Sequence, residues 1–208
     1  MIQLDPKSTI GFIGAGVVGG SLALAMAREG YAVVAAASRT FASAQALAGR
    51  VPGCVAYEAS QAVADVTDVV FITTTDDAIE PVAAAVSWRP GQGVAHCSGA
   101  ASLDVLSSAV EQGAIAGAFH PIQAFSSVES GARSIPGITF GIEGDGEIRA
   151  FLEATALAIG GVPIFLRSED KALYHASAVM MGNLLTVLAA VASELWSKFG
   201  LTRVDGVK

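Results

Sequence analysis

IGFIGAGVVGG, residues 10–20, sets a short apolar run against a cluster of glycines. Ile10, Phe12 and Ile13 have strand composition, Gly14-Ala15-Gly16-Val17-Val18-Gly19 follows at once, and residues 21–28, SLALAMAR, have helical composition. Strand, glycine turn and helix, in that order, is the setting in which G-x-G-x-x-G has a physical meaning. The first glycine allows a tight turn, the second lets backbone approach a pyrophosphate, and the third lets the helix pack closely on the strand. The helix N-terminus then faces the phosphates with free N–H groups and the positive end of its dipole. The stretch therefore predicts that Gly14, Ala15, Gly16, Val17 and Val18 bind a dinucleotide.

Outward from this turn, apolar runs without alternation recur at 31–37, 54–56, 68–73, 93–97 and 114–119, as buried parallel strands require. Between them lie helical segments at 17–29, 41–48, 78–86 and 103–110, and a short helix or turn at 58–64. The repetition predicts an α/β fold, a doubly wound and mostly parallel Rossmann sheet, and right-handed crossovers give the strand order 3-2-1-4-5-6. Beyond Pro121 the rhythm weakens. Residues 126–136 read as a polar loop, 137–142 and 162–166 as further strands, and 146–159 as a helix. Ser168-Glu169-Asp170-Lys171 then opens a helix expected to run to Phe199, with Ser168 as its N-cap. A boundary near Leu166 divides the chain into a dinucleotide-binding domain, 1–166, and the start of a helical C-terminal domain, 167–208.

Composition narrows the setting. Hydrophobic residues make up 52% of the 208 and charged ones 15%, which calls for extensive burial or a subunit interface. A net charge of -7, with no cluster of Lys or Arg, argues against a nucleic-acid partner. Cys54 and Cys97 lack metal-ligand spacing, so no metal is expected, and nothing requires them to form a disulfide; a reducing cytoplasm is the expected location. MIQLDPKST does not read as a signal peptide. The charge-free run 172–193 has the length of a membrane span, but it contains His175, Gly182 and Asn183 and lacks a basic flank, so it reads as a buried helix. Leu173, Val179, Met180, Leu184, Leu185, Leu188 and Val191 make that helix apolar almost all round. Such a helix must be covered, which predicts a homodimer packed through it.

In open α/β sheets ligands sit beyond the C-terminal ends of the strands. The loops there are the glycine turn, Ser38-Arg39-Thr40, Thr73-Thr74-Thr75, Ser98-Gly99 and His120-Pro121, and all are expected on one rim. An NAD site usually places an acid at the end of strand two; Ser38 and Arg39 stand there instead and suit the 2′-phosphate of NADP(H). His96 lies inside a strand and reads as a satisfied core histidine, whereas His120 occupies a rim loop that Pro121 fixes. His175 follows Lys171 by four residues, so both project from one helix face. From the residues alone Lys171 is either a surface lysine at the helix start, opposed to the dipole, or a cation that brackets a reacting oxygen together with His175.

FIGAGVVGGSLALAMAREGYAVVAAASRT, HCSGA, FHPIQAF and KALYHASAVMMGNLL together resemble a family that pairs a Rossmann-like NADP-binding domain with a C-terminal helical domain of unknown function. That family is related to the β-hydroxyacid dehydrogenases, pyrroline-5-carboxylate reductase and prephenate dehydrogenase, and includes proteins regarded as alternative ketopantoate reductases. The resemblance implies an NADPH-dependent oxidoreductase that reduces a small carboxylate-bearing carbonyl compound, a 2-keto acid such as ketopantoate. It implies that Ser98 and Gly99 hold the substrate carboxylate, that His120-Pro121 matches the His-Pro of prephenate dehydrogenases, and that Lys171 and His175 stand where β-hydroxyacid enzymes carry a catalytic lysine and an asparagine. The asparagine lies further on, as Asn183, which becomes a candidate substrate contact, with His120, Lys171 and His175 as the catalytic candidates. Family members continue through more helices, so the helical domain is expected to be cut short or completed by a partner chain. The rival activities are an imine reductase of the pyrroline-5-carboxylate type and a non-catalytic NADP(H) sensor.

Overall fold

The structure is a computed structural model that describes residues 4–202, so part of the MIQLDPKST stretch and residues 203–208 of the helical unit lie outside the described residues. One sheet contains β1 (Ile10–Ile13), β2 (Val33–Ala37), β3 (Val55–Tyr57), β4 (Val69–Ile72), β5 (Gly93–His96), β6 (Ile115–Pro121), β7 (Thr139–Glu143) and β8 (Val162–Phe165). Its order is β3-β2-β1-β4-β5-β6-β7-β8. The first six strands are parallel and stand in the expected order; β7 runs antiparallel to β6, and β8 parallel to β7.

Successive strand residues feed opposite faces. Phe12, Phe71, Ala95, Phe119 and Phe140 join one core, against α1 (Val17–Arg28) and α7 (Gly146–Ala158), while Ile13, Val70, Ile72 and Val94 join the other, against α3 (Ser60–Val66) and α4 (Asp76–Ala85). On the first face an aromatic row crosses the sheet: Phe12 stacks on Phe71 with centroids 5.3 Å apart, Phe71 meets Phe119 edge-on at 5.7 Å, and Phe119 stacks on Phe140 at 4.5 Å. The small Ala95 of β5 lies on the same face and leaves room for Phe71 and Phe119 to meet.

The glycine turn is as tight as the motif demands. Gly14 has φ +109°, and a Cβ there would lie 2.6 Å from the Thr73 carbonyl carbon. A Cβ on Gly19 would strike both the Thr73 hydroxyl and the Gly14 carbonyl. The third glycine thus allows α1 to press on the turn after β1 and on the end of β4 together.

Three expectations are corrected. Residues 126–136 are not simply a loop, because α6 (Val128–Ser134) forms within them. The Ser127 hydroxyl caps it by accepting from the Ser130 N–H at 3.3 Å, and Val128 seats over Gly20 of α1. Gly131 and the polar run hid this short helix, since a tertiary contact rather than propensity stabilises it. His120 and Pro121 lie within β6 rather than in a loop after it, because antiparallel pairing with β7 extends the strand (His120 opposite Gly141). Ser168 does not cap a helix; it opens a 3₁₀ turn, Ser168–Asp170, and its hydroxyl donates to the Glu143 carboxylate.

The C-terminal helix is also less uniform than expected. It consists of α8 (Lys171–Val179), a π-helical turn (Met180–Leu184) and α9 (Leu185–Ser197). Within one chain it is not a buried helix. Lys171 and Tyr174 are the buried residues of α8, and Leu173, Leu188 and Phe199 are 79%, 65% and 78% exposed. By length and composition alone, Ser168–Ser197 is long and apolar enough to cross a membrane.

Because Phe119 links both ends of the aromatic row and is fully buried, Phe119→Ala should cost about 3–5 kcal/mol of unfolding free energy, read from urea denaturation.

Candidate active site

The ends of β1, β2 and β4 build the first half of the site. Gly16 is the N-cap of α1, no side chain caps that helix, and its first turn holds no acid. A Cβ on Gly16 would find nothing within 4 Å, so the space beside the start of α1 is open. Beside them lies a cavity of about 250 Å³ lined by Ala15, Gly16, Val17, Ser43 and Arg50, among others. An uncapped, acid-free helix start over empty space fits the diphosphate of a dinucleotide. Ser38 is half-buried after β2, Arg39 is exposed with no ion pair among the described residues, and Thr40 is the N-cap of α2 (Phe41–Ala48) without a side-chain bond. A guanidinium and an uncapped helix start therefore stand together where a 2′-phosphate would reach. Thr73 uses its hydroxyl to hold the turn, donating to the Gly14 carbonyl at 2.6 Å; Thr74 is half-buried beside it, and Thr75 is the N-cap of α4.

The ends of β5, β6 and β7, with α8, build the second half. Lys171 is only 2% exposed, so it is not the surface lysine that its place at a helix start allowed. Its ammonium lies 3.4 Å from Glu143 Oε2 and 3.5 Å from the Ser98 carbonyl oxygen. Burial lowers the Lys171 pKa, and the Glu143 and Asp76 charges oppose that shift. His120 Nδ1 meets the Tyr174 hydroxyl at 2.8 Å, and the His120 and His175 ring centroids are 6.3 Å apart. His175 Nδ1 is buried without a hydrogen-bond partner among the described residues. A Cβ on Gly99 would lie 2.7 Å from both His120 Cε1 and His175 Nδ1, so only glycine lets the two rings approach the turn after β5.

Ser98 lies at this centre, but its hydroxyl is engaged. It donates to Asp76 Oδ2 at 2.8 Å and accepts from the Ala100 and Ala101 N–H groups at 3.2 and 3.0 Å. It shapes the turn and has no proton left for a substrate carboxylate. His96 differs from a satisfied core histidine: Ser98 N–H donates to its Nδ1 at 3.2 Å, while its buried Nε2 forms no hydrogen bond of sound geometry among the described residues. Burial lowers the His96 pKa to about 3 and that of His120 to about 4, so both rings are neutral at neutral pH.

Between β6 and the C-terminal helix opens a cavity of about 450 Å³. His120, Pro121, Gln123 and Ala124 line one side, and His175, Val179, Met181, Gly182, Asn183 and Thr186 the other. The π-helical turn supplies Met181, Gly182 and Asn183, consistent with the frequent placement of such turns at functional sites. No Lys, Arg, Asp or Glu lines it. The structure thus gathers Lys171, His175, His120, Ser98 and Gly99 at one centre and sets Asn183 in the adjoining wall. Glu143, Tyr174 and Asp76 were missed by the sequence reading. Glu143 follows the apolar stretch GITFGI and Tyr174 precedes His175, and no local signal marks either as a partner.

A model of the Rossmann-like domain matches residues 2–121, and a model of a domain of unknown function, DUF2520, matches 138–207. No curated protein sequence matches the chain. Among solved structures, a candidate NADP oxidoreductase from Bacteroides fragilis is 26% identical with a TM-score of 0.75, over 95% of this chain and 75% of that one. A Thermotoga maritima protein is 25% identical with a TM-score of 0.69, over 92% and 70%. A pyrroline-5-carboxylate reductase from Coxiella burnetii shares the fold at 15% identity, with a TM-score of 0.76 over 97% and 74%.

The two depressed histidines set a pH dependence. An unfolded histidine takes up a proton near pH 6.5, whereas His96 and His120 in the folded chain stay neutral down to about 3 and 4. Between those values the unfolded state binds more protons, so stability falls as the pH drops from 6.5 towards 4. Urea midpoints at pH 7, 6, 5 and 4.5 should decline accordingly, and His120→Asn should flatten the decline.

Proposed function

The chain belongs to the Rossmann-like domain family, and from that premise we propose that it is an NADPH-dependent oxidoreductase that reduces a small 2-keto acid. The observation that carries this reading is the buried Lys171 ammonium on the same sheet rim as the uncapped start of α1. A nicotinamide cofactor supplies the hydride when bound. Gly14, Ala15, Gly16, Val17 and Val18 would take its diphosphate, and Ser38, Arg39 and Thr40 its 2′-phosphate. Reduction of a carbonyl builds negative charge on oxygen. An ammonium held in a water-poor cleft stabilises that charge more than it would in bulk water, and it has a proton to give. His175 and the neutral His120 are neighbours that orient the reacting group, and Asn183 offers an amide to the rest of the substrate. A second reading, reduction of a cyclic imine, is favoured by one observation: no lysine or arginine lines the cavity to fix a carboxylate.

The exposed apolar face of the C-terminal helix supports a homodimer as part of this reading. A second copy packed along α9 would cover Leu184, Leu188, Val191 and Leu195, each half-exposed or more in the single chain. Both cysteines are free thiols, which suits the reducing cytoplasm.

NADPH oxidation, followed by absorbance, should proceed with a member of a panel of 2-keto acids and cyclic imines; cofactor binding without turnover of any would identify a sensor instead. Lys171→Ala should lower turnover on the order of a hundredfold while leaving NADPH affinity nearly unchanged, and wild-type turnover would end the proposal. Calorimetry should show NADPH binding about ten- to a hundredfold more tightly than NADH, with Arg39→Ala eroding the difference. Light scattering at micromolar concentration should give the mass of two chains, and a monomer would rule out the dimer.

A further inference from the structure

Resting on the role just given to Lys171, we infer that Glu143 is a positioning residue: its carboxylate keeps the Lys171 ammonium charged and fixes it against the Ser98 carbonyl, at the rim where the reacting oxygen is met. The geometry isolates this contact. Glu143 ends β7 with its side chain 6% exposed, and the Lys171 side chain is 3% exposed, so water screens neither charge. One carboxylate oxygen, Oε2, faces the ammonium at 3.4 Å. The other, Oε1, accepts the hydroxyl hydrogen of Ser168. Ser168 and Lys171 lie three residues apart on the 3₁₀ turn and the first residue of α8, so one short segment grips the carboxylate from two sides. The Ser168 bond anchors Oε1, and the buried Oε2, which accepts no hydrogen bond among the described residues, is left facing the ammonium as its ion-pair partner.

The groups that face Lys171 from other elements do not replace it. Asp76, at the start of α4, is exposed and is engaged by the Ser98 hydroxyl at 2.8 Å. His96 of β5 and His120 of β6 are neutral, and the Cys97 thiol is held protonated by burial. Without Glu143 the buried amine would lose its proton at a lower pH, because burial penalises the charged form and no other anion touches it. It would then offer neither a charge nor a transferable proton near neutral pH.

The sequence contains four lysines, Lys7, Lys171, Lys198 and Lys208, so NMR of protein labelled with ¹³C at lysine Cε gives four resolvable titrations in the cofactor-free chain. Lys171→Met assigns the signal. Glu143→Gln is expected to lower the Lys171 titration midpoint by one pH unit or more. It should also lower kcat at least tenfold and move the alkaline limb of the kcat profile to lower pH by the same amount, with NADPH affinity unchanged. Glu143→Asp, which keeps the charge one methylene shorter, should lie between the two in both midpoint and kcat. An unmoved midpoint in Glu143→Gln overturns the inference, as does a moved midpoint with an unchanged kcat profile. Should Glu143→Gln not fold, Glu143→Asp decides alone, and wild-type midpoint and kcat overturn the proposal. The function reading fails separately, through wild-type turnover in Lys171→Met.

Discussion

A buried ion pair and a tyrosine–histidine hydrogen bond tie the C-terminal helix to the sheet. Lys171 and Tyr174 are the only buried residues of α8, and both reach polar partners: Lys171 meets Glu143 at the end of β7, and Tyr174 meets His120 in β6. The helix is therefore placed by directional contacts rather than by an apolar seam with its own sheet. Its apolar side chains are left for another surface, and its polar ones close the site. A buried pair of this kind contributes little net stability when intact, but loss of one partner leaves a charge uncompensated. Position and charge at the site thus depend on the same two groups.

The architecture was legible wherever burial on both faces of the sheet imposed a pattern. β1, β2, β4 and β5 are continuous apolar runs bounded by turn residues, and the strand order followed from crossover handedness. Legibility failed where a tertiary contact set the local structure. The helix α6 exists because Val128 seats over Gly20, and that contact spans more than a hundred residues. β6 continues through His120 and Pro121 because β7 returns alongside it, which no local signal at His120 conveys.

The site was legible by position and illegible by state. The rule that ligands gather at the C-terminal ends of strands put Ser98, Gly99, His120 and the glycine turn on one rim. What each group does there depends on partners from distant segments. The resemblance gives Ser98 a substrate carboxylate to hold, whereas in the fold its hydroxyl donates its hydrogen bond to Asp76. The residues alone leave Lys171 either a surface lysine or a cation at the reacting oxygen, and only the fold shows that it pairs with Glu143 inside the protein. Glu143 itself escaped notice because an acid at a strand end, just before Gly144, is ordinarily turned to water.

The π-helical turn at Met180–Leu184 has a consequence for how this helix can change over time. A π turn accommodates one extra residue in an otherwise regular helix. Each residue advances an α-helix by about 100°, and the wide turn absorbs that advance, so tightening it to α geometry with all its residues kept would swing α9 by roughly that angle relative to α8. The cavity wall and the apolar face beyond it are thus set by a phase offset rather than by a shared stripe. A switch of this turn between π and α geometry would re-aim the outer surface while leaving Lys171, Tyr174 and His175 where they are. Substrate-side chemistry and outward recognition can drift separately on one continuous rod.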